Sequence, residues 1–276
     1  MKLNFIIPVI LILISSIGLS QDSVDIKQRK EFSIGEILTI NSNILDEARV
    51  LNVYLPLSYH PDSLNKYPVI YLLDGSAHED FIHIAGLVQF GSYPWLNKVP
   101  ESIVVGIENV DRKKDFTFIP NDTGYFKNTP TAGNSEKFIS FLKNEVQVII
   151  DKTYRTTAEK TLIGQSLGGL LATEVLFFHT DMFNNYIIIS PSLWWDRELL
   201  LRSNIKLSTL PDKVYVGVGK EGRIMESEAK KLYRLLKKQG MIKSQLKFNY
   251  FKDCDHADVL HLAVYDAFNV LFNVVE

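Results

Sequence analysis

Cysteine is almost absent: Cys254 is the only one in 276 residues. That excludes an internal disulfide. An excess of charge of either sign is also missing. Thirty Lys and Arg stand against 32 Asp and Glu, a formal net charge of −2. Nothing electrostatic therefore points to a nucleic-acid partner, and the small basic cluster Arg112-Lys113-Lys114 reads as solvated surface. There is no internal repeat, low-complexity tract or long linker. What remains is an ordinary globular composition, 46% hydrophobic and 22% charged, long enough for one large core. A single domain over residues 21–276 is expected.

The N-terminus stands apart. Lys2 precedes the apolar run "LNFIIPVILILISSIGLS", which ends in small residues. This is the pattern of a secretory signal peptide over residues 1–20, cleaved before Gln21. The run is short for a membrane span and contains Pro8; an uncleaved anchor is the other reading. No cysteine sits near the boundary for lipidation. Export without disulfides points to a bacterial periplasm or the cell exterior, with no stable membrane insertion after cleavage.

Beyond this segment, strands alternate with helices. "EFSIGEILTI" and "ARVLNVYLP" alternate apolar and polar residues, as an antiparallel hairpin does. "PVIYLLDG" and "SIVVGI" are continuous apolar runs, as expected of strands buried on both faces. "KTLIG", "NYIIIS", "KVYVGVG" and "QLKFNYF" supply further strands. Helices are expected over residues 79–89, 135–151, 167–179, 226–239 and 257–272. Residues 109–133, rich in Asn, Thr, Pro and Gly, read as one long loop, usually a functional feature in a compact domain. The alternation predicts an α/β fold: a mostly parallel, twisted sheet of about eight strands with helices on both faces. Ligands then bind at the carboxyl ends of the strands.

Gly164-Gln165-Ser166-Leu167-Gly168 fits G-x-S-x-G. Alone the pattern is weak, since about one chain in ten this long carries it by chance. Its context strengthens it, because it follows a strand and opens a helix. Ser166 is thus the candidate nucleophile, and it needs a base. In this fold the order is Ser, acid, His. His60, His78 and His83 precede Ser166. His179 lies about 20 Å away along the helix that Ser166 opens. His261 falls inside an apolar helix, as packing or surface. His256, in "KDCDHAD" after the last strand, is the base. Glu221, the first carboxylate after "KVYVGVG", is the acid, with Glu226 second; a Ser–His pair without a well-placed acid stays open.

Backbone amides are needed for the oxyanion. Leu167 supplies one, and Ser76, in the Asp74-Gly75-Ser76 turn, the other. His78 and His83 lie five residues apart, roughly 140° around a helix, so they are read as cleft rim or surface and no metal is expected.

With these residues placed, the sequence resembles the esterase D-like α/β-hydrolases, among them the enterobactin and salmochelin (siderophore) esterases; mycobacterial mycolyltransferases are more distant look-alikes. "YLLDG", "NVDRKKDFTFIP", "LIGQSLGGL" and "SPSLWWD" carry the likeness, which spans nearly the whole mature chain. It implies Ser166 as nucleophile, His256 as base and the same oxyanion donors. It also puts Trp194 and Trp195 near the cleft, with burial under a cap segment as the alternative. Gln165 departs from relatives that have His there. The implied activity is ester hydrolysis through an acyl-enzyme, without a cofactor. The substrate is a small-molecule or glycan ester. One option is an anionic siderophore trilactone met by Arg112 or Arg223. The other is an acylated polysaccharide on the tryptophans. Acyl transfer to another alcohol, and a non-catalytic binding protein on the same fold, are the alternatives. Oligomeric state is not legible.

Overall fold

Alternating residues at the start of the folded region build the expected hairpin. Strand β1 (Gly35–Ser42) pairs antiparallel with β2 (Glu47–Tyr54). The turn between them uses Asp46 at φ 56°. The computed structural model describes residues 26–272. The expected signal peptide, residues 1–20, lies outside them. Residues 26–33 form no helix or strand, and one compact unit begins at Ile34.

The continuous apolar runs become β3 (Tyr67–Leu72), β4 (Ile103–Ile107), β5 (Thr156–Gln165), β6 (Asn185–Ile189), β7 (Lys213–Gly219) and β8 (Leu246–Phe251). They join β1 and β2 in one eight-stranded sheet of order β1-β2-β4-β3-β5-β6-β7-β8. The β2–β4 contact is antiparallel, and every contact from β4 to β8 is parallel. This is the α/β-hydrolase fold that the sequence predicts.

Helices α1 (Phe81–Gly91), α2 (Arg112–Phe116), α3 (Ser135–Phe141), α4 (Gln147–Thr153), α5 (Leu167–Phe178), α6 (Leu199–Arg202), α7 (Arg223–Lys238) and α8 (Val259–Leu271) complete the chain. A π-helical turn, Leu142–Val146, links α3 to α4. Side chains of a strand alternate between faces, and the core divides accordingly. Val69 and Tyr71 of β3, with Val214, Val216 and Val218 of β7, join residues of α3, α5 and α7. Ile70, Leu72 and Tyr215 join α1 and α8 on the other face.

The expected loop 109–133 is partly helical. Asp111 caps α2 by accepting from the Lys114 amide at 3.0 Å. Asp115 of α2 meets the Arg49 guanidinium at 2.8 Å, and both side chains are fully buried. Phe138 and Phe141 lie 5.2 and 5.5 Å from that guanidinium. A buried pair of this kind makes removal of either partner strongly destabilising, and it anchors α2 beside the sheet.

The order of strands also places the site. From β3 the chain crosses to β4 on one side, then returns to β5 on the other. Such a reversal opens a crevice beyond the carboxyl ends of the two strands. Asp74 and Ser166 follow those ends.

Candidate active site

Ser166 sits between β5 and α5 with φ 59° and ψ −119°. A non-glycine residue at such angles is strained and persists only when its surroundings fix it. They do: its N–H donates to Ile189 O at 3.1 Å, and its carbonyl accepts from Leu170 and Ser192 amides at 2.9 and 3.0 Å. Glycine is required behind it, because a Cβ on Gly164 would lie 2.4 Å from the Gly168 carbonyl oxygen. The Ser166 hydroxyl has Ser192 Oγ as its neighbour at 3.3 Å.

His256 follows β8 in an exposed loop. Its Nδ1 lies 2.5 Å from Glu221 Oε2, and Gln165 Nε2 donates to its carbonyl at 2.6 Å. Glu221 follows β7 and its side chain is 3% exposed. Its other oxygen accepts from the Ser190 hydroxyl and, at 2.9 Å, from the Gly219 amide. Burial pushes the Glu221 carboxyl up, but the hydrogen bonds from His256, Ser190 and Gly219 outweigh it and hold the group below its ordinary value. The same bond raises His256 above its ordinary value, against the opposing effect of burial. Glu226, the second choice for the acid, instead accepts from the Gly222 amide at 3.2 Å. His179 caps the far end of α5, and His261 lies on α8.

The turn after β3 is held from several sides. Asp74 adopts φ 56°. Arg112 grips it with two bonds, Nε to Oδ1 at 2.6 Å and a terminal nitrogen to Oδ2 at 2.8 Å. Asn109 adds a third, at 2.6 Å. The Arg112 fork also reaches the Gln165 carbonyl at 3.3 Å. The sequence names Arg112 as a substrate contact, and its side chain is 35% exposed at the second cavity beside Ser166. It borders the cleft while its fork is held by Asp74 and by the residue before Ser166. Leu167 is the first residue of α5, where amides lack partners within the helix, and Ser76 is in the Asp74-Gly75-Ser76 turn.

The two tryptophans separate. Trp194 is 38% exposed and lines the cleft, whereas Trp195 is 1% exposed. The Trp195 indole N–H donates to Phe118 O at 3.1 Å, and its ring meets Tyr125 edge-on at 4.8 Å. Trp195 is thus core under the 118–125 segment, and its expected contact with substrate is corrected. Trp195→Ala should cost about 3–5 kcal/mol of stability, read as a lower denaturation midpoint. Trp194→Ala should leave that midpoint nearly unchanged and raise KM for aromatic esters.

Two cavities meet at Ser166 and His256. The first, about 760 Å³, is walled by Trp194, Met225 and Ala257, with Lys220 at its edge. The second, about 420 Å³, is bordered by Asp74, Glu79, Asp80 and Arg112. Burial and the nearby Asp74 charge push the Glu79 and Asp80 carboxyls up. Arg223, at the start of α7, lines neither cavity. The sequence reading named the serine, histidine and glutamate that the structure gathers here. It missed Ser190, Ser192, Glu79 and Asp80. Ser190 and Ser192 flank Pro191 directly after β6, a strand end beside Ser166, and that position was a usable signal. The His83 and His261 rings lie tilted against each other, 4.3 Å between centres. Among the described residues no group of three or more His, Cys, Asp or Glu side chains is arranged to hold a metal ion. No helix among them is long and apolar enough to cross a membrane.

Comparison with known proteins places the chain in a family. The family model described as "Putative esterase" matches residues 42–261. The ferri-bacillibactin esterase BesA of Bacillus subtilis is 27% identical over 246 residues, covering 79% of this chain and 83% of the relative. An IroE-like serine hydrolase from Shewanella oneidensis superposes with a TM-score of 0.74 at 26% identity, covering 88% of this chain and 82% of that one. The BES protein from Bacillus cereus reaches the same TM-score at 27% identity, covering 92% of this chain and all of its own length. With the family model matching most of its length and its fold in agreement, the chain belongs to this esterase family and is an ester hydrolase.

Proposed function

We propose that Ser166, His256 and Glu221 form the catalytic triad of a carboxylic-ester hydrolase, with the Leu167 and Ser76 amides as its oxyanion hole. The observation that carries this reading is the 2.5 Å contact between His256 Nδ1 and Glu221, beside a serine that shares both cavities with that histidine. With Nδ1 committed to the carboxylate, Nε2 is left to take the Ser166 proton. Ser166 Oγ then bonds to the ester carbonyl carbon, and the oxyanion forms against the two amides. Collapse breaks the bond to the alcohol, which leaves with the proton from Nε2. Water, deprotonated by the same nitrogen, releases the acid and restores Ser166.

The substrate class follows from the first cavity. Trp194 and Met225 offer an aromatic-accepting wall, and Lys220 makes no ion pair among the described residues. An ester with an aromatic, anionic acyl half fits both, and a ferric catecholate siderophore is such a molecule. The relative named for ferri-bacillibactin supports this choice. The apolar run near the N-terminus supports export from a bacterial cytoplasm. Purified protein should hydrolyse a catecholate trilactone faster than feruloyl or acetyl sugar esters. A preference for the sugar esters would overturn the substrate class, and no turnover of any carboxylic ester would overturn the whole reading.

The acid has its own signature. Glu221 stabilises the imidazolium, which raises His256 above its ordinary value. Activity needs the neutral ring, so kcat/KM should rise with pH through that raised value. Glu221→Gln removes the stabilising charge. The acid limb should move to lower pH, while the plateau rate falls by about 10⁴-fold.

A further inference from the structure

The geometry points to Asn52 as a positioning residue for the oxyanion hole, an inference that rests on the reading of Ser166 and Ser76 above. Asn52 lies on β2 and is 1% exposed. Its Nδ2 donates to the Gly75 carbonyl at 2.9 Å and to Glu108 Oε1 at 2.8 Å. The amide has one workable orientation, since the reverse would set Oδ1 against two acceptor oxygens.

Gly75 is the residue that needs fixing. It has no room for a side chain, because a Cβ would stand 2.3 Å from Gly106 Cα. A glycine also offers the backbone several conformations, so the peptide plane after it is free to turn unless something holds it. The Gly75 N–H is held by Ile107 O at 2.9 Å, and Asn52 holds the carbonyl.

Planarity carries the effect onward. In a trans peptide the C=O and the next N–H point in opposite directions. Strands run β2-β4-β3-β5 across the sheet. Asn52 draws the Gly75 carbonyl toward the β2 side, which turns the Ser76 N–H toward the β5 side, where Ser166 follows. The start of α5 is adjacent: a Cβ on Gly168 would lie 3.3 Å from Asp74 Oδ2. The Ser76 N–H makes no backbone hydrogen bond; the exposed Glu79 carboxylate, which borders the second cavity together with Ser166, accepts from it, so the donor faces the cleft. Without Asn52, the plane can turn and present a carbonyl oxygen where a donor is needed.

The test uses the full-length protein and an alkyl boronate, which mimics the tetrahedral intermediate on Ser166. Asn52→Ala should lower kcat by about 10- to 100-fold, within what loss of one oxyanion donor costs. KM should hardly change, and boronate affinity should fall by the same factor as kcat. Asn52→Asp keeps the shape but sets a carboxylate oxygen against the Gly75 carbonyl, and should lose at least as much. A variant with wild-type melting behaviour, kcat and boronate affinity would overturn the inference. Should both variants fail to fold, a crystal structure of the wild-type boronate adduct decides. A boronate oxygen within hydrogen-bond distance of the Ser76 N–H supports the role, and one facing elsewhere overturns it. Wild-type protein without esterase activity would overturn the site reading and this inference with it; active wild type with unaffected variants overturns this inference alone.

Discussion

Ser166→Ala should lower kcat on aryl and alkyl esters by about 10⁴-fold or more while leaving the fold intact. The backbone strain at φ 59° is the same for Ala as for Ser, because both carry one Cβ. Among the described residues the hydroxyl's hydrogen-bond partner is Ser192 Oγ at 3.3 Å, so little is lost on its removal. The remaining rate would come from the oxyanion donors and from binding, which survive the substitution. Steady-state kinetics beside a thermal melt check both halves. An intact fold with unchanged turnover would remove Ser166 from the chemistry.

His256→Ala should cost a similar factor. The ring is 46% exposed at its side chain, so deletion opens no sealed cavity and the melting temperature should move little. In the proposed triad it removes the acceptor of the Ser166 proton and the donor to the leaving alcohol. It also leaves Glu221 with only the Ser190 and Gly219 bonds. The double variant Ser166→Ala, His256→Ala should be no slower than either single one, because residues acting as one unit lose their effect together. Additive losses in the double variant would mean that the two side chains act separately.

Much of this arrangement was legible from residue patterns. Apolar runs such as "PVIYLLDG" marked the central strands because strands buried on both faces exclude polar residues. The glycines around Ser166 marked the sharp corner, since Gly164 and Gly168 pack backbone to backbone. Chain order then singled out His256, and the end of β7 singled out Glu221.

The rest depends on pairings far apart in sequence. Helix α2 was hidden in a polar stretch because Arg49, 66 residues away, holds Asp115 in place. The grip of Arg112 on Asp74 was hidden because nothing local pairs the two. Trp194 and Trp195 are neighbours in a turn whose residues Asp196, Arg197 and Glu198 all have positive φ. No periodicity assigns one ring to solvent and the other to the core there. Asn52 looked like an ordinary polar position in an alternating strand. Its importance appears only when the Gly75 carbonyl is found 2.9 Å from its amide.

The most direct measurement is to treat the protein with a fluorophosphonate and locate the adduct by peptide mass spectrometry. The account predicts a single phosphonylated residue, Ser166, with labelling that slows as His256 is protonated. An adduct on neighbouring Ser192 instead, or no adduct on a folded protein, would contradict it.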